Sequence, residues 1–265
     1  MSVASFVSDD QNVGSPMSQA IDYRALVKRI VDLVCSILLL VPALPLMLIS
    51  TILVKLTSRG PAIYTQVRVG QNGRTFVIYK IRTMRNDCEK LTGPQWAQLG
   101  RDPRVTIVGN FLRKTHLDEL PQLFNVIRGD MTLVGPRPER PEFVAQLEQV
   151  IPHYRMRLAV RPGVTGLAQL LLPPDTNFHS VRIKLTYDLY YLQVGTLWLD
   201  MKIIACTAFK VVGIPKWVSR KILNAPSEDV IESAYLALSR NANRSDSKVD
   251  AVSHSRSDVE MQPAF

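Results

Sequence analysis

The chain has 265 residues, 46% of them hydrophobic, with 32 Lys and Arg against 23 Asp and Glu and a formal net charge of +9. That length carries one large domain or two small ones around a real core, and the hydrophobic share excludes a wholly disordered chain. The 13 Gly and 17 Pro follow no short period, which excludes collagen-like or low-complexity architecture. A basic balance calls for an anionic partner: nucleic acid, a phospholipid surface or a phosphorylated metabolite. Cys35, Cys88 and Cys206 are far apart, form no CxxC and fit a reducing compartment.

Residues 1–20 are rich in Ser, Asp, Asn and Gly and read as a flexible arm. Asp9 and Asp10 stand where a secretory leader would carry positive charge. Next comes Lys28-Arg29-Ile30-Val31-Asp32, then 33–54 without a charged residue, then Lys55. As a straight helix this apolar run spans about 33 Å, enough to cross a bilayer core. Pro42 and Pro45 lie in its middle, where each removes a backbone donor and bends or breaks a helix. Both flanks are basic, which favours the cytoplasmic side for each. The reading is a re-entrant membrane hairpin, helix–break–helix, with Pro42 and Pro45 at the break. A proline-kinked straight anchor and a buried core helix are the alternatives.

Residues 59–114 contain eleven Lys and Arg against three acids. Alternating, β-branched 62–69 predicts a strand, paired with 74–82 across the turn Gly70-Gln71-Asn72-Gly73. Leu117, Leu120, Phe124 and Ile127 fall at helical spacing, and 142–151 and 183–192 read as further helices. Residues 200–212 form an amphipathic helix suited to a bilayer surface. The segment 239–265 has few large apolar residues and is expected to be disordered.

Asp118 and Glu119 are adjacent, and Pro121 places a helix start close to them. A carboxylate at a helix N-terminus stays ionised and serves as nucleophile, metal ligand or simple helix cap. Arg137 stands between Pro136 and Pro138, and Arg161 precedes Pro162. An arginine on a stiff turn makes a good phosphate fork, although each alone is equally a surface ion pair.

In order along 28–212 stand Lys28-Arg29-Ile30-Val31-Asp32, Tyr79-Lys80-Ile81-Arg82-Thr83-Met84, Leu117-Asp118-Glu119-Leu120-Pro121-Gln122-Leu123-Phe124-Asn125, Gly129-Asp130-Met131, Gly135-Pro136-Arg137-Pro138, Arg161-Pro162-Gly163-Val164-Thr165-Gly166 and Asp188-Leu189-Tyr190-Tyr191. This ordered set resembles the bacterial sugar transferase family, monotopic phosphoglycosyl transferases that start surface polysaccharide synthesis. The resemblance implies transfer of a phosphosugar from a UDP-sugar to undecaprenyl phosphate with release of UMP. Asp118 would be the nucleophile, forming a sugar-phosphoryl-aspartate, and Glu119 with Asp118 would hold Mg²⁺. Lys80, Arg82, Arg113, Arg137 and Arg161 would bind phosphates, and Asp188 would serve structure or substrate positioning. Membrane lipids are implied partners, and downstream glycosyltransferases or further copies of the chain are compatible with the scheme. The implied location is the inner membrane, with the site on the cytoplasmic face. Family members often have Ser-Pro at the hairpin break, where this chain has Leu44-Pro45.

The expected fold is α+β. A re-entrant membrane helix (21–57) leads into a compact, mainly helical catalytic domain (58–215) with a small β-hairpin and interfacial amphipathic helices. A helical extension (216–238) and the tail (239–265) follow. The alternative function is a catalytically silent assembly or regulatory protein on the same scaffold. Nucleic acid is not an expected partner, since no helix-turn-helix, zinc or RNP pattern occurs.

Overall fold

The computed structural model describes residues 16–86, 88 and 102–237. Most of the expected arm (1–15) and the whole of the expected tail (239–265) lie outside the described residues. Helix α1 (Pro16–Thr57) begins within the stretch expected as the arm and is 42 residues long. It corrects one expectation: no non-helical break occurs at Pro42 or Pro45, and the backbone remains helical through both. Each proline deletes one i→i−4 bond, but the flanking Leu, Ile and Val offer no competing polar group, so the helix continues.

One side of α1 is protected and the other bare. Asp32, Ser36, Ala43, Ser50 and Val54 are each at most 4% exposed, and Ser36, Ala43 and Ser50 recur every seven residues. Ile37, Leu38, Val41, Leu44, Leu48, Ile49 and Ile52 are exposed. Within 25–57, α1 has the length and composition of a membrane-crossing helix. Its C-terminal end packs into a cluster of Val54, Ala62, Ile81 and Leu112.

Strands β1 (Ile63–Val69) and β2 (Thr75–Ile81) form the expected antiparallel hairpin, in register from Val69 opposite Thr75 to Ile63 opposite Ile81. The turn carries Asn72 at φ 55° and Gly73 at φ 79°, the left-handed region that Gly and Asn enter most readily. Helix α2 (Ile107–Thr115) is capped by the Thr106 hydroxyl, which accepts from the Gly109 amide. Helix α3 (Gln122–Arg128) ends at Gly129, whose φ is 99°. A short pairing absent from the sequence reading follows: β3 (Thr132–Val134) lies parallel to β4 (Gly163–Thr165). Gly163 lies so close to Gly135 that a side chain at Gly163 would meet backbone atoms.

Helices α4 (Pro141–Val150), α5 (Leu167–Leu171), α6 (Phe178–Val194), α7 (Leu197–Val211) and α8 (Lys216–Leu223) complete the unit. Helix α7 is amphipathic as expected, with Ile203 and Cys206 buried and Trp198 and Met201 exposed. The described residues from 16 to 225 share one compact unit, and a helical stretch at 228–237 belongs to a second.

Candidate active site

The carboxylate pair lies in a sharp corner. His116 ends α2 in the left-handed region at φ 56°, and Leu117–Glu119 form one 3-10 turn. Leu120 and Pro121 stay right-handed and lead directly into α3. Pro121 therefore sits just before α3, where its missing N–H leaves no gap in the hydrogen-bond ladder. The pair occupies the preceding turn rather than the first turn of a long helix.

The position of that corner is set by β2. Asn125, fully buried on α3, accepts from the Tyr79 amide at 3.2 Å and donates to the Val77 carbonyl at 2.7 Å. One side chain thus takes both a donor and an acceptor from the strand edge. This docks α3 beside Lys80 and brings the pair to the lysine.

Glu119 is clamped by two cations: Lys80 Nζ donates to Oε1 at 3.0 Å and Arg137 Nη2 to the same oxygen at 2.8 Å. Arg137 Nη1 also donates to Gln169 Oε1 at 3.1 Å. Burial pushes the Glu119 carboxyl up, but Arg137 and Lys80 outweigh it and hold the group well below the usual range. Asp118 is only 8% exposed, and no hydrogen-bond donor reaches its carboxylate among the described residues. Burial first, then repulsion from Glu119, pushes its pKa up to about 6 against the pull of Lys80, Arg113 and Arg137.

The remaining residues divide by what they touch. Arg113 Nε donates to Thr83 Oγ1 at 2.8 Å, and its charge acts on Asp118. Asp188 accepts from Arg157 at 2.7 and 3.0 Å. Arg157 also donates to Tyr154 Oη at 2.8 Å and to the Arg137 carbonyl at 3.0 Å. Asp188 therefore fixes Arg157, which fixes the proline-flanked backbone carrying Arg137.

Of the other two expected phosphate ligands, Arg82 stands at the C-terminal end of α1 and Arg161 near Arg29, before the apolar run of that helix. Arg82 donates to the carbonyls of Ser58 at 2.9 Å and Arg59 at 2.6 Å, closing the exit of the helix. Arg161 lies close enough to Arg29 for their like charges to repel. The structure brings together Asp118, Glu119, Lys80, Arg113 and Arg137.

Four residues of the site escaped the sequence reading as functional: His116, Arg157, Gln169 and Lys210. Lys210 donates to the Gln169 carbonyl at 3.1 Å, and its charge acts on His116. Burial lowers the His116 pKa, so this ring tends to the neutral form. Tyr154 and Arg157, three residues apart across one turn, were the available signal, but nothing in the sequence pairs them with Asp188.

Among the described residues no cluster of three or more His, Cys, Asp or Glu is assembled for a metal ion. The carboxylate pair nevertheless suits Mg²⁺, which accepts one or two carboxylates and fills its shell with water and substrate phosphate oxygens. Both cations take Glu119 Oε1, leaving Oε2. The mutual repulsion that raises the Asp118 pKa is what a divalent ion between the two groups would relieve.

A buried, unpaired carboxylate beside a fixed cationic frame is the arrangement that the site presents. Residues 23–213 match the Bacterial sugar transferase family, and the chain belongs to it. It is 45% identical over 180 residues to the UDP-N-acetylgalactosamine-undecaprenyl-phosphate N-acetylgalactosaminephosphotransferase of Aeromonas hydrophila, covering 68% of this chain and 42% of that protein. It is 43% identical over 198 residues to the UDP-glucose:undecaprenyl-phosphate glucose-1-phosphate transferase of Caulobacter vibrioides, covering 73% and 72%. A protein of Klebsiella pneumoniae with the same name is 40% identical over 188 residues, covering 69% of this chain and 39% of that one. The aligned part spans about two fifths of several of these relatives.

Proposed function

We propose that the chain transfers a phosphosugar from a UDP-sugar to undecaprenyl phosphate through a covalent intermediate on Asp118, at the cytoplasmic face of the inner membrane. The supporting observation is the state of Asp118: buried, bare of hydrogen-bond donors among the described residues, and next to a glutamate already occupied by Lys80 and Arg137. A carboxylate with no partner keeps its lone pairs for an electrophile. The relatives named for glucose-1-phosphate and N-acetylgalactosamine phosphate transfer support undecaprenyl phosphate as the acceptor.

In the first step an Asp118 carboxylate oxygen bonds to the β-phosphorus of the donor. The bond from that phosphorus to the bridging oxygen breaks, and UMP leaves with the oxygen and its electron pair. In the second step a phosphate oxygen of undecaprenyl phosphate bonds to the same phosphorus, and Asp118 departs as a carboxylate. Lys80, Arg113 and Arg137 lower the cost of bringing one anion to another. Glu119 keeps Lys80 and Arg137 in place, Arg157 also holds the Arg137 backbone, and Arg113 donates to Thr83. Asp118 and Glu119 would hold Mg²⁺, which would supply neutralisation of the diphosphate.

The path of α1 supports a helix with both ends of its apolar run on one side of the bilayer over a spanning one. At the start of the apolar run, Lys28 donates to Asp200 at 2.6 Å, Arg29 to the Val126 and Ile127 carbonyls, and Asp32 accepts from Thr132. At its end, Val54 packs with Ile81 and Leu112. A crossing would place these attachments on opposite sides of a bilayer about 30 Å thick, yet both belong to one compact unit.

Purified protein supplied with a panel of UDP-sugars, undecaprenyl phosphate and Mg²⁺ should release UMP from at least one donor. Asp118→Asn should reduce release to background while remaining membrane-bound. Turnover by Asp118→Asn would remove Asp118 as nucleophile, and silence of the unmodified protein on every donor would favour a non-catalytic role.

A further inference from the structure

Gln122 opens α3, four residues after Asp118, and the intervening Leu120 and Pro121 keep helical backbone angles. The two side chains therefore stand about one turn apart, the separation at which helical neighbours meet. Gln122 is 1% exposed, and its Nε2 is buried without an acceptor among the described residues. Leaving such a donor buried and unpaired is unfavourable. An apolar residue of equal size would avoid that cost, so the amide calls for a partner that the free protein lacks.

Gln169 makes the contrast. Its Nε2 is also unpaired, but its Oε1 accepts from Arg137 and its carbonyl accepts from Lys210. The Gln169 carboxamide is thereby accounted for as a support of the cationic frame. Gln122 has no such duty.

An unpaired acceptor, Asp118, and an unpaired donor, Gln122, thus lie one turn apart without bonding to each other. We propose that Gln122 is a substrate-contacting residue whose Nε2 donates to a non-bridging oxygen of the phosphoryl group transferred to and from Asp118. This inference rests on the reading of Asp118 as nucleophile. When the Asp118 oxygen bonds to phosphorus, the phosphoryl oxygens come within reach of groups adjoining Asp118. A neutral donor already desolvated then gains its partner as charge redistributes onto those oxygens. The arrangement leaves the free protein under-stabilised at this position and stabilises the reacting state.

Gln122→Met tests this, because it keeps the volume and removes the amide. In detergent without substrate, its Tm should equal or exceed that of the unmodified protein. The first-turnover rate of UMP release should fall about 100-fold, the scale of losing one well-placed donor to a developing anion, with KM for the UDP-sugar little changed. Gln122→Asn keeps the amide but withdraws it by one methylene, and should give an intermediate rate. Normal first-turnover rates in both variants would overturn the inference. A parallel loss of Tm and activity in Gln122→Met would do the same by assigning Gln122 to structure. If the unmodified protein releases UMP and Gln122→Met matches it, only the role of Gln122 fails. If the unmodified protein releases none, the transferase reading fails first.

Discussion

Asp118 and Glu119 are neighbours in sequence but occupy opposite electrostatic states. Lys80 and Arg137 hold Glu119 ionised, whereas burial and the Glu119 charge push Asp118 up to about 6 from an ordinary 3.8. The consequence for folding has a definite sign. Between pH 4 and 6 the folded chain without metal keeps a proton on Asp118 that the unfolded chain releases, so stability falls as pH rises through this window. Asp118→Asn lacks the effect. In metal-free detergent at pH 8 it should be the more stable protein by up to about 3 kcal/mol, and the gap should close below pH 4. Thermal unfolding at both pH values checks this, and an equal gap at both would contradict the assignment. Added Mg²⁺ should raise the Tm of the unmodified protein and leave Asp118→Asn unmoved. The sequence made the pair conspicuous, but it gave Asp118 and Glu119 no separate roles. That distinction depends on Lys80, 39 residues away, and on Arg137, 18 residues away. Arg82 shows the same limit from the other side. The resemblance made it a phosphate ligand, yet its donors go to the carbonyls after α1.

Elements with a strong local pattern were legible, and those that depend on distant partners were not. The β1–β2 hairpin follows from alternation around a Gly-bounded turn, and its register agrees. The β3–β4 pair has three residues on each strand and exists because Gly135 and Gly163 approach closely, which no periodicity announces. In α1 the two prolines suggested a break that the helix does not make. The more informative feature was Lys28-Arg29-Ile30-Val31-Asp32. Its basic residues suggested topology and the stretch carried part of the resemblance, but all three charged side chains also bond to the unit that holds the carboxylate pair. Arg29 takes carbonyls at the C-terminal end of α3, the helix that starts beside the carboxylate pair. Helix α1 is thus keyed directly to the layer that carries the carboxylate pair. Single cysteines at Ala25 and Lys55, both exposed, should label with a membrane-impermeant reagent only when the cytoplasmic face is open, judged against the unmodified protein. Labelling of the two from opposite faces would establish a crossing and overturn the proposed path.

For the molecule as a whole, the features that composition left ambiguous converge on one surface chemistry. The excess positive charge in 59–114 includes Lys80 and Arg113 at the carboxylates, while α1 and the exposed Trp198 and Met201 of α7 provide apolar contact area. Lys28 ties the first turn of α7, which carries the exposed Trp198, to the start of the apolar run. A soluble nucleotide-sugar and a lipid phosphate can meet only at a membrane boundary. The proposed chemistry needs Asp118 to carry the phosphosugar between them. The direct measurement is rapid-quench mass spectrometry of intact protein mixed with a UDP-sugar it turns over, in the absence of undecaprenyl phosphate, followed by peptide mapping. The account predicts an added sugar-phosphate mass on the peptide containing Asp118, formed with one equivalent of UMP and lost on addition of the lipid acceptor. Full turnover with no adduct at any quench time, or an adduct mapped to another residue, would contradict it.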